Sequence, residues 1–325
     1  MGTIYNHFTL EERCRFTGMI EMGFPVTEIA RRLGRHRGTI HRELGRNRNV
    51  DGYRPDSAER RAWARKLRGS RIERSTRLGT HVKDCLAMGW SPEQIAGRME
   101  LDGVEHSVST ESIYRHIFSP AGRRDGLPKY LPQRKSRRGR RARNGKREPG
   151  IPSRVSIHQR PDAVGERTEF GHWEGDLMHF RRQRDILLTL QERSTRLTLA
   201  RRLLSKNSDE TAAAIIAELG GLPAQALRTI THDNGGEFAR HTTVAKRTGL
   251  TAYFCDPHSP WQRGGIENGN GLLRRDLPRH TNLSDHQDTD IDDIVWMLNS
   301  TPRKCLGFQT PIEAFAQQLG VALEM

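Results

Sequence analysis

Hydrophobic residues recur at helical spacing through the first third of the chain and at strand spacing through its last half. Thr9 can cap a first helix that ends at Gly23, and residues 25–34 and 35–44 follow as two short helices. Apolar side chains occur where these three helices would meet, at Ile29, Ala30, Leu33, Ile40 and Leu44. This spacing predicts a helix-turn-helix over residues 8–47, in which the second helix of the motif enters the DNA major groove.

Polar residues near the start of the third helix are the candidates for contacts with DNA bases. They are Arg35, His36, Arg37, Thr39 and Arg42. Arginine can donate two hydrogen bonds to guanine, and threonine can contact the methyl group of thymine. The alternative is an ordinary helical hairpin with a charged face. DNA binding is favoured because Arg and His cluster on the third helix alone.

A weaker copy of the same pattern follows. Residues 90–99 parallel residues 24–33, with Ser91 as the cap and Pro92 at the first helical position. Residues 108–118 would form a second recognition helix, but with fewer basic side chains. DNA reading and a packing or dimerising role both remain open for this unit.

A strongly basic segment separates the helical part from the rest. Residues 121–150 contain twelve Lys or Arg against two acidic residues, with little that is apolar. Its prolines and glycines, together with the lack of apolar residues, indicate that it forms no hydrophobic core. The composition predicts a linker that contacts DNA phosphates or serves as a solvated tether. The predicted domains are a helix-turn-helix domain, a second such unit, a basic linker and a catalytic domain, at residues 1–70, 71–120, 121–155 and 156–325.

Five short runs in the last half have the composition of β-strands. They cover residues 170–178, 186–190, 196–200, 227–231 and 251–254. Helical segments lie between and after them. The fold class predicted is multidomain, with N-terminal all-α helix-turn-helix units followed by an α/β domain that has a mixed five-stranded sheet.

Three carboxylates come from three different elements of this domain. Asp176 lies in a strand, Asp233 lies at a strand tip before an Asn-Gly-Gly turn, and Glu267 opens a helix after a pliable loop at 264–265. An Asp in a turn can merely cap its own backbone. Converging carboxylates, however, repel one another unless cations lie between them, and such oxygen ligands suit Mg²⁺ or Mn²⁺. Two ions about 4 Å apart would activate a water or a 3′-hydroxyl for phosphodiester chemistry.

Charge and cysteine usage narrow the class of protein. The chain carries 54 Lys and Arg against 39 Asp and Glu, a formal net charge of +15, which suits a polyanionic partner such as nucleic acid. Four scattered cysteines fit neither a zinc knuckle nor a disulfide framework, and indicate reduced thiols. No apolar run approaches a membrane span and no signal peptide is evident, so a cytoplasmic, nucleoid-associated protein is expected.

The motifs around the carboxylates resemble those of DDE transposases with a retroviral-integrase-type, RNase H-like core, and more narrowly those of the insertion sequence 30 family. The matching segments are His-Trp-Glu-Gly-Asp at 172–176, His-Asp-Asn-Gly-Gly-Glu-Phe at 232–238, Ser-Pro-Trp-Gln-Arg-Gly at 259–264, Glu-Asn at 267–268 and Gly-Leu-Leu-Arg at 271–274. The 33 residues between Asp233 and Glu267 fit that family's acidic triad, and Arg274 fills its basic position seven residues later. Ile266 departs from the family, where a polar residue is usual.

The resemblance implies a transposase whose N-terminal helices bind terminal inverted repeats and whose core cuts a phosphodiester at the element end. The freed 3′-hydroxyl would then be joined to target DNA. Asp176 and Asp233 would hold two Mg²⁺ or Mn²⁺ ions, with Asp176 bridging them and Glu267 completing the second site. Asn270 and Arg274 would contact DNA near the scissile phosphate.

The implied partners are double-stranded DNA and further copies of the chain, with no membrane and no small-molecule substrate. One alternative is a DNA-binding repressor whose integrase-like core is inactive. Another is a structural nucleoid protein, which would not need acidic residues converging inside a basic chain.

Overall fold

The computed structural model of the protein describes residues 7–67, 69–105, 107–131, 151–181, 186–257 and 259–321. These residues form two compact units that divide after residue 81, within one helix. The basic segment at 132–150, which dominates the predicted linker, lies outside the described residues. No helix in the described part of the chain is both long enough and apolar enough to cross a bilayer.

The first unit is helical, as the apolar spacing predicts. Its helices are α1 (Leu10–Glu21), α2 (Val26–Arg32), α3 (Arg37–Asn47), α4 (Pro55–Leu67) and α5 (Arg71–Arg74), and α6 (Thr76–Ala87) crosses the division between the units. Thr9 and Glu12 form a reciprocal capping box at the start of α1. Phe16, Ile29 and Ile40 are the centre of the core, which confirms the predicted contacts among the first three helices.

A buried ion pair fixes α1 against α3. Arg13 Nε lies 2.9 Å from Glu43 Oε1, and both side chains are almost fully buried. The same carboxylate oxygen accepts hydrogen bonds from Asn47 and from the Tyr53 hydroxyl. Because removing one member would leave a buried charge unpaired, this network holds α3 in one orientation.

The second unit begins with helices α7 (Pro92–Leu101), α8 (Thr110–Ile117) and α9 (Pro120–Arg124). Ser91 and Gln94 form the capping box expected at α7. The start of the predicted linker, at residues 121–131, differs from the prediction, because it forms most of α9 and a following 3₁₀ turn. The Ser119 hydroxyl accepts from Gly122 N–H at the start of α9, and Leu127 is buried.

Helix α7 packs against the C-terminal segment of the same unit. Arg98 donates two hydrogen bonds to the Glu313 carboxylate, at 2.6 and 2.8 Å, and Gln94 donates to the Pro302 carbonyl at 2.7 Å. This face of α7 therefore has a packing role, one of the two roles that the sequence leaves open.

A mixed five-stranded sheet forms the centre of the second unit. Its strands are β1 (His172–His179), β2 (Ile186–Glu192), β3 (Thr198–Leu203), β4 (Thr229–His232) and β5 (Thr251–Phe254), in the order β3-β2-β1-β4-β5. The pairs β1–β2 and β2–β3 are antiparallel, and β1–β4 and β4–β5 are parallel. The predicted fold class is confirmed.

Helices cover both faces of the sheet. They are α10 (Asp162–Glu166), α11 (Ser208–Leu219), α12 (His241–Thr248), α13 (Gly264–Leu273), α14 (Asp288–Asn299) and α15 (Pro311–Leu319). Trp173 and Leu177 of β1 join the core that includes α11, whereas Met178 joins the core that includes α13 and α14. Because side chains alternate along a strand, Asp176 faces the α13 side with Met178.

Asn207 caps α11 through its side-chain oxygen. One local prediction is wrong. The glycines at 264–265 are the first turn of α13 and are not a loop before it.

Candidate active site

The two predicted aspartates are brought together by a pair of parallel strands. Strands β1 and β4 are neighbours, with Glu174 opposite Thr231. Asp176 lies two residues further along β1, and Asp233 directly follows the end of β4. Asp233 Oδ1 accepts from Gly235 N–H at 2.9 Å, so it does cap its own turn, but its other oxygen is directed elsewhere.

A single arginine joins the two carboxylates. Arg263 Nη1 lies 3.1 Å from Asp176 Oδ1, and its Nη2 lies 3.1 Å from Asp233 Oδ2. Nη1 also donates to the Gly175 carbonyl at 2.7 Å. The Arg263 side chain is 9 % exposed, against 22 % for Asp176 and 41 % for Asp233. A buried positive charge therefore lies between the two aspartates.

Burial and the charge of the opposite partner shift the pKa values of Asp176 and Arg263 in opposite directions. Burial raises the pKa of the Asp176 carboxyl; the Arg263 guanidinium opposes that shift and the neighbouring Asp233 adds to it. Burial also disfavours the Arg263 charge, but Asp176 and Asp233 outweigh it and raise the pKa of Arg263. The charges of Asp176 and Arg263 thus stabilise each other where both are shielded from water.

Helix α13 lines a cleft of about 1010 Å³ together with the Asp176 end of β1. Glu267, Asn270 and Arg274 lie along this face, as their helical spacing predicts. Asn270 is nearly buried and donates to Asp176 Oδ2 at 2.8 Å. Arg274 donates to the His179 carbonyl at 2.8 Å and lies over the Phe180 ring. Asn270 and Arg274, the two predicted DNA contacts on α13, are therefore both hydrogen-bonded to residues of β1.

Glu267 lies in the same cleft but apart from the two aspartates. Its side chain is exposed, and it forms no hydrogen bond or ion pair with another described residue. Among the residues that the structure describes, no three His, Cys, Asp or Glu side chains are close enough together to hold a metal ion. The structure therefore pairs Asp176 with Asp233 and places Glu267 on the cleft wall.

Glycines let α13 approach the sheet closely. A Cβ on Gly265 would lie 2.9 Å from Glu174 Oε2, and one on Gly269 would lie 2.5 Å from Gln191 Nε2. Glu174 is fully buried, pairs with Arg193, and accepts from Ile266 N–H at 2.8 Å. This carboxylate anchors the first turn of α13 and so sets the position of Glu267. The apolar side chain at 266 is accommodated, since it is buried in the contact.

Sequence reasoning missed the roles of Arg263, Glu174 and Arg193. Glu174 and Arg263 belong to the motifs at 172–176 and 259–264, which was the available signal. Their contacts, however, join elements about 90 residues apart, at separations of 92 for Glu174 and 87 for Arg263. Such contacts cannot be read from local spacing.

In the first unit, the predicted base-reading residues fall into two groups. Arg35 pairs with Glu12 at 2.8 Å, and Thr39 is buried. His36 caps α3, its ring Nδ1 accepting from Gly38 N–H at 3.1 Å. The predicted residues Arg37 and Arg42 on α3 are exposed. So are His41 and Arg46 of the same helix, which the sequence did not single out.

Two family models match the chain, one in each unit. A family model described as "Helix-turn-helix domain" matches residues 5–47, and one described as "Integrase core domain" matches residues 166–260. A solved catalytic core domain of BIV integrase is 20 % identical, with a TM-score of 0.38, and the match covers 46 % of this chain and 96 % of that one.

Curated relatives match over almost the whole length. The transposase for insertion sequence element IS1086 of Cupriavidus metallidurans is 38 % identical, with 98 % of this chain and 96 % of the relative covered. The transposase for IS4351 of Bacteroides fragilis is 36 % identical, with 96 % of each chain covered. Transposase InsI for IS30C of Escherichia coli K12 is 34 % identical, with 98 % and 85 % covered. The chain therefore belongs to the insertion sequence 30 family of transposases.

Proposed function

We propose that the chain cuts DNA at the ends of its own insertion sequence and joins the freed 3′ ends to target DNA. The observation that carries this proposal is the pair of aspartates on adjacent parallel strands, held around one buried cation at the edge of a cleft. A third carboxylate, Glu267, lines that same cleft. Membership of a transposase family makes DNA the polyanion that the positive net charge suits.

Asp176, Asp233 and Glu267 carry the carboxylate oxygens that a divalent cation prefers as ligands. Asp176 and Asp233 already hold one positive charge between them, that of the Arg263 guanidinium. We assign Asp176, Asp233 and Glu267 as the residues that would hold Mg²⁺ or Mn²⁺, with two ions in the complete site. When bound, such ions would activate a water or a 3′-hydroxyl and stabilise the leaving oxygen of a phosphodiester.

The remaining residues of the cleft position the substrate and the carboxylates. Asn270 holds Asp176 in one orientation through its hydrogen bond to Oδ2. Three arginines, Arg274, Arg275 and Arg279, line the cleft and would attract the phosphate backbone. The acidic site at the base of a basic cleft would thus receive a DNA strand with its scissile phosphate near Asp176.

The test of this proposal has two steps that use the full-length protein. Random-sequence duplexes are first incubated with the protein in a chelator, and the bound fraction is sequenced to find the cognate end. That duplex is then incubated with Mg²⁺, and the expected products are a 3′-hydroxyl nick and a strand joined to a second duplex. Cognate binding without any metal-dependent cleavage would support the repressor alternative instead.

We assign cognate DNA recognition to the exposed face of α3. Arg37→Ala or Arg42→Ala should weaken binding to the cognate duplex by about 1–3 kcal/mol if the side chain contacts a base, with little loss on random duplexes. Arg31→Ala on the neighbouring helix α2 is the control, because that guanidinium is paired with Glu28 and lies outside α3. Equal losses on cognate and random duplexes would make these residues phosphate contacts.

A further inference from the structure

A second cleft lies against a different face of α13. It has a volume of about 340 Å³ and is lined by Arg167, Arg196 and Arg303, with Gln191 and Asn268. We call it the arginine cleft. Whereas Glu267 and Asn270 line the first cleft, the residues of α13 that line this one are Gly264, Gly265, Asn268, Gly269 and Leu272. Helix α13 therefore separates the proposed catalytic site from a cluster of guanidinium groups.

The charge of the arginine cleft is not balanced within the described part of the chain. None of its three arginines forms an ion pair with a described carboxylate, although each is half-buried. Among the described residues, the Arg303 guanidinium donates only to the Leu298 carbonyl, at 2.9 Å. Glu174 is close by, but one of its oxygens is held by Arg193 and the other by Ile266 N–H. An anion from outside these residues would satisfy the cleft.

The effect of the excess charge extends to a neighbouring side chain. Burial lowers the pKa of Arg193 to about 10; Glu174 opposes that shift, and the guanidinium groups of Arg160, Arg167 and Arg196 add to it. Several cations thus surround a single carboxylate. This region is electropositive even though it lies beside an acidic catalytic site.

The backbone at two of the arginines is unusual. Arg167 has φ of 59° and Arg196 has φ of 65°, in the left-handed region that glycine adopts most easily. Among the described residues only four non-glycines have positive φ, the others being Ser153 and Phe308. Glycine would adopt this backbone conformation with less strain at both positions. The two arginines therefore lower the stability of the fold relative to glycine.

We propose that the arginine cleft binds a backbone phosphate of DNA, so that α13 lies between two DNA contacts. Guanidinium groups donate in a planar fork that matches phosphate oxygens, and the cleft offers three of them. Asn268 and the first turn of α13 add polar groups to the same wall. The proposal rests on the proposed function, since it supposes that DNA is the substrate. It adds a second phosphate contact that helps to fix α13, and with it Glu267.

The test measures the salt dependence of DNA binding by full-length protein in a chelator, so that cleavage plays no part. Each phosphate that the protein neutralises contributes about 0.9 to the log–log slope. The double variant Arg167→Gly/Arg196→Gly, which removes the contact with one phosphate, should therefore lower the slope by about 0.9. Glycine accepts the left-handed backbone, so the variant should fold at least as well as the wild type. If it does not, Arg167→Asn/Arg196→Asn provides the same charge change with a residue that also tolerates this conformation.

Two controls separate the phosphate contact from general effects. Ser153→Gly also introduces glycine at a residue with left-handed backbone, but it removes no charge. Arg201→Gln removes an arginine that is already paired with Glu218 at 2.7 Å. Both should leave the slope as it is in the wild type.

A double-variant slope equal to that of Arg201→Gln would overturn the proposal. An unchanged slope with a loss of self-association would assign the cleft to an acidic segment of a second copy. An unchanged slope, with thermal stabilisation of the wild type but not the variant by inorganic phosphate, would assign it to a small anion.

Because the binding assay contains a chelator, a reduced slope would support the arginine cleft even if the protein failed to cut DNA. Failure of the cleavage assay alone would count only against the catalytic assignment.

Discussion

Asp233→Asn should lower the rate of strand cleavage by about 10³-fold or more, while the affinity for the cognate duplex in a chelator stays unchanged. The amide has nearly the same shape as the carboxylate but lacks the charge that would hold a divalent ion. A loss of this size corresponds to about 4 kcal/mol of transition-state stabilisation, within the range expected of a bound metal. The measurement is single-turnover cleavage of a labelled cognate duplex with Mg²⁺ or Mn²⁺.

Asp176→Asn and Glu267→Gln should give losses of similar size but differ in their effect on folding. Glu267 is exposed and has no described side-chain partner, so Glu267→Gln should change the free energy of unfolding by less than about 0.5 kcal/mol. Asp176 lies against Arg263 and accepts from Asn270, so its replacement should destabilise the second unit measurably. If the three carboxylates had only a structural role, the variants that lose the most stability would also lose the most activity.

Asp209→Asn is a matched control for the triad variants. This aspartate is exposed on α11 and pairs with Arg240 at 2.8 Å, away from the cleft. It should retain full cleavage. If any triad variant also retained nearly full cleavage with Mg²⁺, the assignment of that residue as a metal ligand would be wrong.

Local sequence predicts much of the framework of this site. The strand predicted at residues 251–254 coincides with β5, and the β-branched run predicted at 227–231 contains most of β4. Caps such as Thr9 and Ser91 act within four residues, so their signals are complete in the sequence. Parallel neighbours then bring Asp176 and Asp233 to the same region of the sheet.

The features of the site that local sequence did not predict depend on contacts between distant segments of the chain. The glycines at 264–265 indicate a flexible loop by composition, yet they begin α13 because its first turn must pass close to Glu174 and Gln191. The Arg263 guanidinium lies 87 residues from Asp176 and 30 from Asp233 along the chain. Only the assembled sheet shows that this arginine holds the two carboxylates, and only α1 shows that Arg35 pairs with Glu12.

Replacing Arg263 should increase the affinity of the site for divalent cations by about tenfold or more. In the protein as described, the guanidinium forms ion pairs with the two carboxylates that would bind the metal, so it must be displaced or moved before both can do so. Arg263→Ala removes this competing cation and leaves Asp176 and Asp233 to repel each other. A tenfold gain corresponds to about 1.4 kcal/mol, which a titration with Mn²⁺ or Mg²⁺ followed by calorimetry can resolve.

The same variant should be less stable than the wild type when no metal is present. Removing one member of a buried ion pair typically costs about 3–5 kcal/mol, although the part-exposed Asp233 lowers the expected loss to the bottom of that range. Divalent cations should then raise the melting temperature of Arg263→Ala more than that of the wild type, because a ligand stabilises the native state by RT ln(1 + [L]/Kd) and so by more when it binds more tightly.

Arg193→Ala distinguishes this competition from a general effect of losing a buried arginine. Arg193 is as deeply buried as Arg263, but its carboxylate partner is Glu174, which also holds the first turn of α13. Its replacement should destabilise the unit without any gain in metal affinity. Equal metal affinities for the wild type and Arg263→Ala would show that the guanidinium and the metal do not share the two aspartates. Arg263 would then be a fixed brace between β1 and β4, and the metal would bind elsewhere along the cleft.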